Sequence, residues 1–512
     1  VGGGDVRLVV VGPVANAAVF GEVEVEEEAV VAIRGDGKIV LAAPRSSREA
    51  QELLAWLLQQ QEGSVEVVVL ERGQILIPGM IDTHIHAPQY SYTGTATDLA
   101  LMEWLNEYTF PAERRMEDLQ EAREVYTAVV DRTLRGGTTC AMYFATIHVP
   151  ASKLLANIAL DRGQRAYIGK VCMDRMAPEG YSETTEDALT GTEHFIRYVR
   201  GLHSDLVHPV VTPRFIPSCS PALLSGLGRL AREYDCHIQS HISESEDEVA
   251  LVEAMHPAEG TDAEIFDRHA LLTDKAVFAH GVHLSDSDCA LMAARGSGVS
   301  HCPHSNFTFA GGTLRTARLV RSGVNTGLGS DVAGGCSACL LDAQRYAVVA
   351  DKVVAQQERA GVHGERGERA PRGQGLDWKH ALHLATMGGA TALGLQHRIG
   401  TIESGKAFDA VVLDAGGGSI DLFRSDTTRS LLEKLCNLGT EHNVAAVWVQ
   451  GRRVHSKDPQ RPPTAPTPAP HAPHPNLDPA PSSSMPRSES GEGGGHFSRV
   501  DNSKEPGGGR HA

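Results

Sequence analysis

The chain has 512 residues, 41% of them hydrophobic and 22% charged, and a formal net charge of −17. That length carries two or three domains with ample core, and so acidic a balance excludes nucleic acid or an anionic membrane surface as the main partner. No uninterrupted apolar run reaches membrane-spanning length, and no basic region leads into an apolar core at the N-terminus, so neither a membrane span nor a signal peptide is expected.

Residues 1–76 hold β-type patches at Val6 to Val11 and Val65 to Leu70, a turn at Gly35-Asp36-Gly37, and a helical stretch at 48–61. The acidic run Glu22 to Glu28 reads as a solvated strand face. These residues are expected to form the first part of a small β domain. From 77 to 395 the pattern changes to short apolar runs alternating with amphipathic stretches. The runs begin with Gly79 to His86, Gly137 to Phe144, Arg165 to Met173 and Val207 to Phe215. They continue with Cys236 to Ser243, Ala276 to His283, Gly298 to Pro303 and Val324 to Asp331. Eight strands alternating with helices over roughly 250 residues predict an α/β fold, a (β/α)8 TIM barrel. A doubly wound sheet is disfavoured because no glycine-rich phosphate loop follows the first strand.

Helices are expected through 340–394, interrupted by a Gly/Arg/Glu-rich insert, Gln357 to Gly375, expected as a mobile loop. Strand character returns in 396–455, at Ala407 to Asp414 and Asn443 to Val454 with a turn at Gly451. This segment is expected to complete, with residues 1–76, a small composite β-sandwich domain. Residues 456–512 are rich in Pro, Ser and Gly without hydrophobic periodicity and are expected to be disordered. The nine cysteines, an odd and scattered set, fit reduced thiols and a cytoplasmic protein. The Cys336-Cys339 spacing reads as coincidence. The chain opens on Val1 instead of Met, which points to processing or truncation.

Chemistry in a (β/α)8 barrel sits at the C-terminal strand ends. The first strand ends in Pro78-Gly79-Met80-Ile81-Asp82-Thr83-His84-Ile85-His86, where His84 and His86, spaced i, i+2, share one side of the strand. Strand 5 ends in His241, strand 6 around His280 and strand 8 in Asp331. Three imidazoles and a carboxylate at one barrel mouth make a site for zinc or ferrous iron with room for a water. Asp331 can touch the metal and accept the water's proton. Glu244, three residues past His241, can shuttle a proton to a substrate nitrogen. His280 remains as a neutral imidazole to orient the water or polarise the electrophile. His148, His203, His208, His237, His283 and His301 are taken as structural.

These residues carry a resemblance. The chain looks like a member of the amidohydrolase superfamily, whose PGxIDxHxH pattern is matched by Pro78 to His86. HxxE follows at His241 to Glu244, then His280-Gly281, HCPxSN at His301 to Asn306, and GLGSD at Gly327 to Asp331. Within the superfamily it resembles the guanine deaminases. The supporting stretches are His84 to Ser91, Glu103-Trp-Leu, Tyr108 to Glu113, Gly163-Gln-Arg-Ala, Gly169 to Asp174, Thr212-Pro-Arg-Phe215 and Gln239 to Glu244. The match runs from about Asp82 to Val454. The first 75 residues agree only in general character.

The resemblance implies one zinc per chain on His84, His86, His241 and Asp331, with Glu244 as proton shuttle and His280 beside the water. It implies purine contacts from Gln89, Arg214 and Phe215, hydrolysis of guanine to xanthine and ammonia, and a homodimer. Departures are Pro88 between Ala87 and Gln89, Cys336 after the GLGSDVAGG stretch, and the long insert.

Three rival readings stand beside this one. A binuclear amidohydrolase with a carboxylated lysine would use Lys170, but Lys170 falls in mid-strand 3, and strand 4 ends at Arg214. A different ring substrate is the second: cytosine, an adenosine derivative, a chlorotriazine or a cyclic amide. A non-enzymatic scaffold is the third, and the intact ligand set argues against it.

Overall fold

The computed structural model describes residues 5–61, 63–360, 375–418 and 420–464. Eight of the apolar runs become the parallel strands of a closed barrel, neighbours in sequence being neighbours in space. They are β1 (Met80–His86), β2 (Thr138–Phe144), β3 (Arg165–Cys172), β4 (Val207–Pro213), β5 (His237–Ile242), β6 (Ala276–His280), β7 (Gly298–His301) and β8 (Asn325–Leu328). Every residue of β1, β2, β3, β6 and β7 is buried, as expected of parallel strands covered by helices outside and packed side chains inside. The helix Leu119–Arg135 shows how the outer layer is specified. The Asp118 side chain caps it by accepting from Gln120 N at 2.8 Å. Val125, Tyr126, Val129 and Val130 repeat at helical spacing and are buried together.

A second sheet of eight strands is built from both ends of the described chain. Its path runs Arg452–Ser456, Val444–Val449, Ala410–Asp414, Gln74–Pro78, Val6–Asn16, Glu24–Arg34 and Ile39–Pro44, with Glu66–Val69 also pairing with Val6–Asn16. The composite module expected from 1–76 and 396–455 is thus hydrogen-bonded into one continuous sheet. A register shift in Val6–Asn16 between Gly12 and Val14 breaks its regular pairing.

The chain passes from the sheet into the barrel at Gly79. Gln74–Pro78 pairs antiparallel with Ala410–Asp414, and after Gly79 the chain enters β1. A Cβ on Gly79 would fall 2.0 Å from Thr139 Oγ1, so only glycine lets the strand pass. Gly79 N donates to Asp409 O at 2.8 Å. The Asp409 carboxylate takes Arg165 Nε at 2.9 Å and Nη2 at 3.3 Å, both side chains being about 1% exposed. This buried ion pair joins the lower end of β3 to the second sheet.

Two expectations change in detail. Helix Leu340–Ala360 runs on past Gln357, so regular structure extends into the start of the expected insert, and residues 361–374 lie outside the described residues. Strand β8 stops at Leu328, which leaves Asp331 in the turn beyond it instead of at the strand's last position. In the segment expected to be disordered, 456–464 are described and 465–512 lie outside the described residues.

Candidate active site

The C-terminal ends of the strands bring the expected side chains together. His84 and His86 leave β1 on one side with ring centroids 4.8 Å apart, and both pack on Phe144 at the end of β2. His241 comes from β5 and His280 is the last residue of β6. Asp331 follows β8, and its backbone N is anchored by His84 O at 2.9 Å. His280 and Asp331 have φ of 72° and 46°, a left-handed backbone that non-glycine residues adopt rarely and that gathers at functional sites.

Hydrogen bonds fix which nitrogens face the centre. His241 Nδ1 donates to Arg214 O at 2.6 Å, so its Nε2 carries a lone pair. That Nε2 lies 3.1 Å from His86 Nε2. His280 Nδ1 donates to Asn306 Oδ1 at 2.9 Å, leaving Nε2 free to accept. His84 Nε2 and His86 Nε2 stand 3.1 Å and 3.5 Å from Asp331 Oδ1. Despite that distance, His84 Nε2 makes no properly oriented hydrogen bond, and neither does His86 Nδ1. Imidazole nitrogens and a carboxylate oxygen converging without satisfying one another are the arrangement a metal ion completes. Among the described residues, two groups place their donor atoms within 4.8 Å: His84, His86 and His241, and His84, His280, Cys302 and Asp331.

The electrostatics agree with that use. Burial lowers the proton affinity of His84, and lowers those of His86 and His241 further, which keeps the imidazoles in their ligating form. Burial alone would raise the Asp331 carboxyl, but His84, His280 and His86 outweigh it and hold the group well below the usual carboxylate range. Glu244 differs. Burial raises its carboxyl, His280 partly offsets this, and His280 Nε2 is 3.6 Å from Glu244 Oε1.

A cavity of about 630 Å³ opens onto this cluster. Gln89, Arg214, Glu244 and Asp331 give it polar lining, and Phe215 together with Trp104 and Phe309, the last two with ring centroids 4.3 Å apart, gives it apolar lining. Lys170 is elsewhere engaged: it is fully buried in β3 with its Nζ 2.6 Å from Glu183 Oε1, so a bridging role between two metals finds no support in its contacts. His208 and His237, taken as structural, are bonded to backbone carbonyls at the opposite end of the barrel.

Several participants were not singled out in the sequence. Asn306 orients His280 and Cys302 borders the ligand cluster, both inside the His301 to Asn306 motif that pointed to them. His301, set aside as structural, has both ring nitrogens buried without a partner, and burial pushes its proton affinity down to about 3. Glu113, a fully buried carboxylate bonded to Gln89 and Arg214, ends the stretch Tyr108 to Glu113 that resembles the guanine deaminases. A glutamate after Phe-Pro-Ala carries no local signal of burial.

The Amidohydrolase family profile matches residues 75–454. The guanine deaminase of Homo sapiens is 41% identical over 441 residues, covering 84% of this chain and 93% of its own. That of Mus musculus is 40% identical over 439 residues, covering 84% and 93%. The crystal structure of guanine deaminase from C. acetobutylicum, with guanine bound in its active site, is similar with a TM-score of 0.78 and 28% identity, covering 88% of this chain and 100% of that one. With its barrel, its ligand constellation and these likenesses, the chain belongs to the amidohydrolase family, among the guanine deaminases.

Proposed function

We propose that this chain hydrolyses guanine to xanthine and ammonia, a step of purine catabolism, using one zinc ion per chain held by His84, His86, His241 and Asp331. The observation that carries the reading is the convergence of those four side chains with Glu244 and His280 at a cavity lined by Gln89, Arg214 and Phe215. Three nitrogens and one carboxylate oxygen suit zinc. When bound, the ion acidifies a water toward neutrality and so supplies hydroxide.

The chain's own residues do the rest. Arg214 donates to the O6 carbonyl of guanine, a group adenine replaces with an amine, and Phe215 packs on the ring. Gln89 offers donor and acceptor to the ring edge. Glu244, its carboxyl raised by burial, takes a proton from the attacking water and delivers it to ring N3 as oxygen adds to C2. His280 accepts from the water through Nε2, its tautomer fixed by Asn306. Collapse of the tetrahedral carbon breaks the C2–N bond, and the 2-amino group leaves as ammonia with the remaining proton.

We further propose a cytoplasmic homodimer. All nine cysteines are free, eight of them buried, and among the described residues no helix is long and apolar enough to cross a membrane. The domain limits 1–76, 77–395, 396–455 and 456–512 belong to the same proposal. Ammonia release from guanine, compared with cytosine, adenosine and a chlorotriazine and with Glu244→Gln as control, tests the function. Turnover of another ring with guanine inert would overturn it. Two zinc equivalents per chain by elemental analysis would overturn the mononuclear site.

A further inference from the structure

Glu113 lies on the short helix Phe110–Arg115, outside the barrel strands, with its side chain fully buried. Its Oε1 accepts from Gln89 Nε2 at 2.9 Å. Its Oε2 accepts from Tyr181 OH at 2.8 Å and from Arg214 Nη1 at 2.5 Å. The Arg214 guanidinium stands 5.0 Å over the Phe110 ring of the same helix. At its other end, the Gln89 amide accepts through Oε1 from Ala333 N at 3.2 Å, two residues beyond Asp331.

We propose that Glu113 is the positioning residue that sets the donor and acceptor pattern of the purine pocket and thereby selects a 6-oxo purine. The proposal rests on reading Gln89 and Arg214 as purine contacts. A carboxylate accepts at both oxygens and donates at neither. It therefore forces the NH2 group of Gln89 toward itself, while Ala333 N–H holds the amide oxygen at the far end. The amide cannot exchange its ends without meeting like groups at both. The same carboxylate answers the charge of Arg214, a cation only 3% exposed, and ties down one arm of its fork. The untied N–H groups are left at the cavity wall for a ring carbonyl. Glu113 reaches the substrate only through these two residues, so its influence belongs to binding and selectivity.

Glu113→Gln keeps the shape but cannot accept at both ends, so Gln89 or the Arg214–Tyr181 pair loses its acceptor. The KM for guanine should rise on the order of 30-fold or more, with kcat changed less than about 3-fold. Metal content should hold. Hypoxanthine, which has the 6-oxo group, should lose its advantage over unsubstituted purine as a competitive inhibitor. An unchanged KM, or a loss confined to kcat, would overturn the proposal. Should the single variant fold poorly because Arg214 is stranded, Arg214→Met and the double variant E113Q/R214M settle the matter. In the R214M background the KM cost of E113Q should shrink to the part carried by Gln89, and an undiminished multiplicative loss would overturn the idea. A parent chain inert toward guanine refutes the functional reading; an active parent with an indifferent E113Q refutes only the role of Glu113.

Discussion

Histidines sit at both ends of this barrel, half-buried at the lower end and buried at the mouth, and the two ends use them differently. At the lower end His208 Nε2 donates to Asp205 O at 3.1 Å and His237 Nε2 to Leu393 O at 2.9 Å, and both rings pack on Tyr167. The charges there also answer one another, Arg165 against Asp409 through two hydrogen bonds. At the mouth, His86 and His241 bring Nε2 atoms to 3.1 Å, and His84 Nε2 faces Asp331 without a bond. Burial depresses proton affinity at both ends, so a depressed imidazole does not mark a site. What separates these histidines is satisfaction: His208 and His237 are bonded within the chain, while His84 Nε2 and His86 Nδ1 are buried without a partner.

The sharpest way to break this comparison is His241→Ala. If the mouth is a metal site, the variant loses bound zinc by elemental analysis. Turnover then falls by more than the ~10⁴-fold that marks the upper end of general acid–base effects. Retention of both would reduce the mouth to the same structural status as the lower end. Glu244→Gln comes next. It should lower kcat by ~10²–10⁴-fold with metal content intact, because it removes the proton carrier and no proposed ligand. Smaller again is Asn306→Ala. Losing the acceptor that fixes His280 should cost ~10–100-fold in kcat/KM, and an unaffected variant would mean that His280 needs no such orientation.

The mouth was easier to read in the sequence than its surroundings. His84 and His86 announce themselves by two-residue spacing, and β-strand geometry then obliges them to share a side. His241, His280 and Asp331 followed once eight strands were counted, since strand ends converge in a barrel. Asp331 needed the structure to move it off β8 into the turn, where a positive φ aims it. Glu113 could not be read at all. Its partners lie 24 and 101 positions away, and nothing in the six residues of its helix shows which carboxylate will be buried. The second sheet was legible as strands at the two ends, but its order depends on pairings such as Leu76 with Val412 that no local pattern specifies.

The lower end should respond in stability and not in turnover. Arg165→Met strands the Asp409 carboxylate, so urea unfolding should show a loss of about 3–5 kcal/mol, while kcat/KM per folded molecule stays at the parent value. A fall in kcat/KM with stability intact would show that the two ends are coupled through β3. The smallest effect is expected at His208, whose proton affinity burial pushes down to about 4. Its folded value lies below the unfolded value of about 6.5, so the unfolded chain binds the extra proton between those limits. Stability from this group is therefore full above the unfolded value and is lost as pH falls toward the folded one. His208→Phe keeps a ring against Tyr167 and removes the titration. Its unfolding free energy should fall less steeply than the parent's between those two limits, by ~1 kcal/mol given that part of the ring meets water, and kcat/KM should not move. An equal slope would mean that the acid sensitivity of the fold resides in other buried imidazoles, His237 beside it and those of the mouth among them.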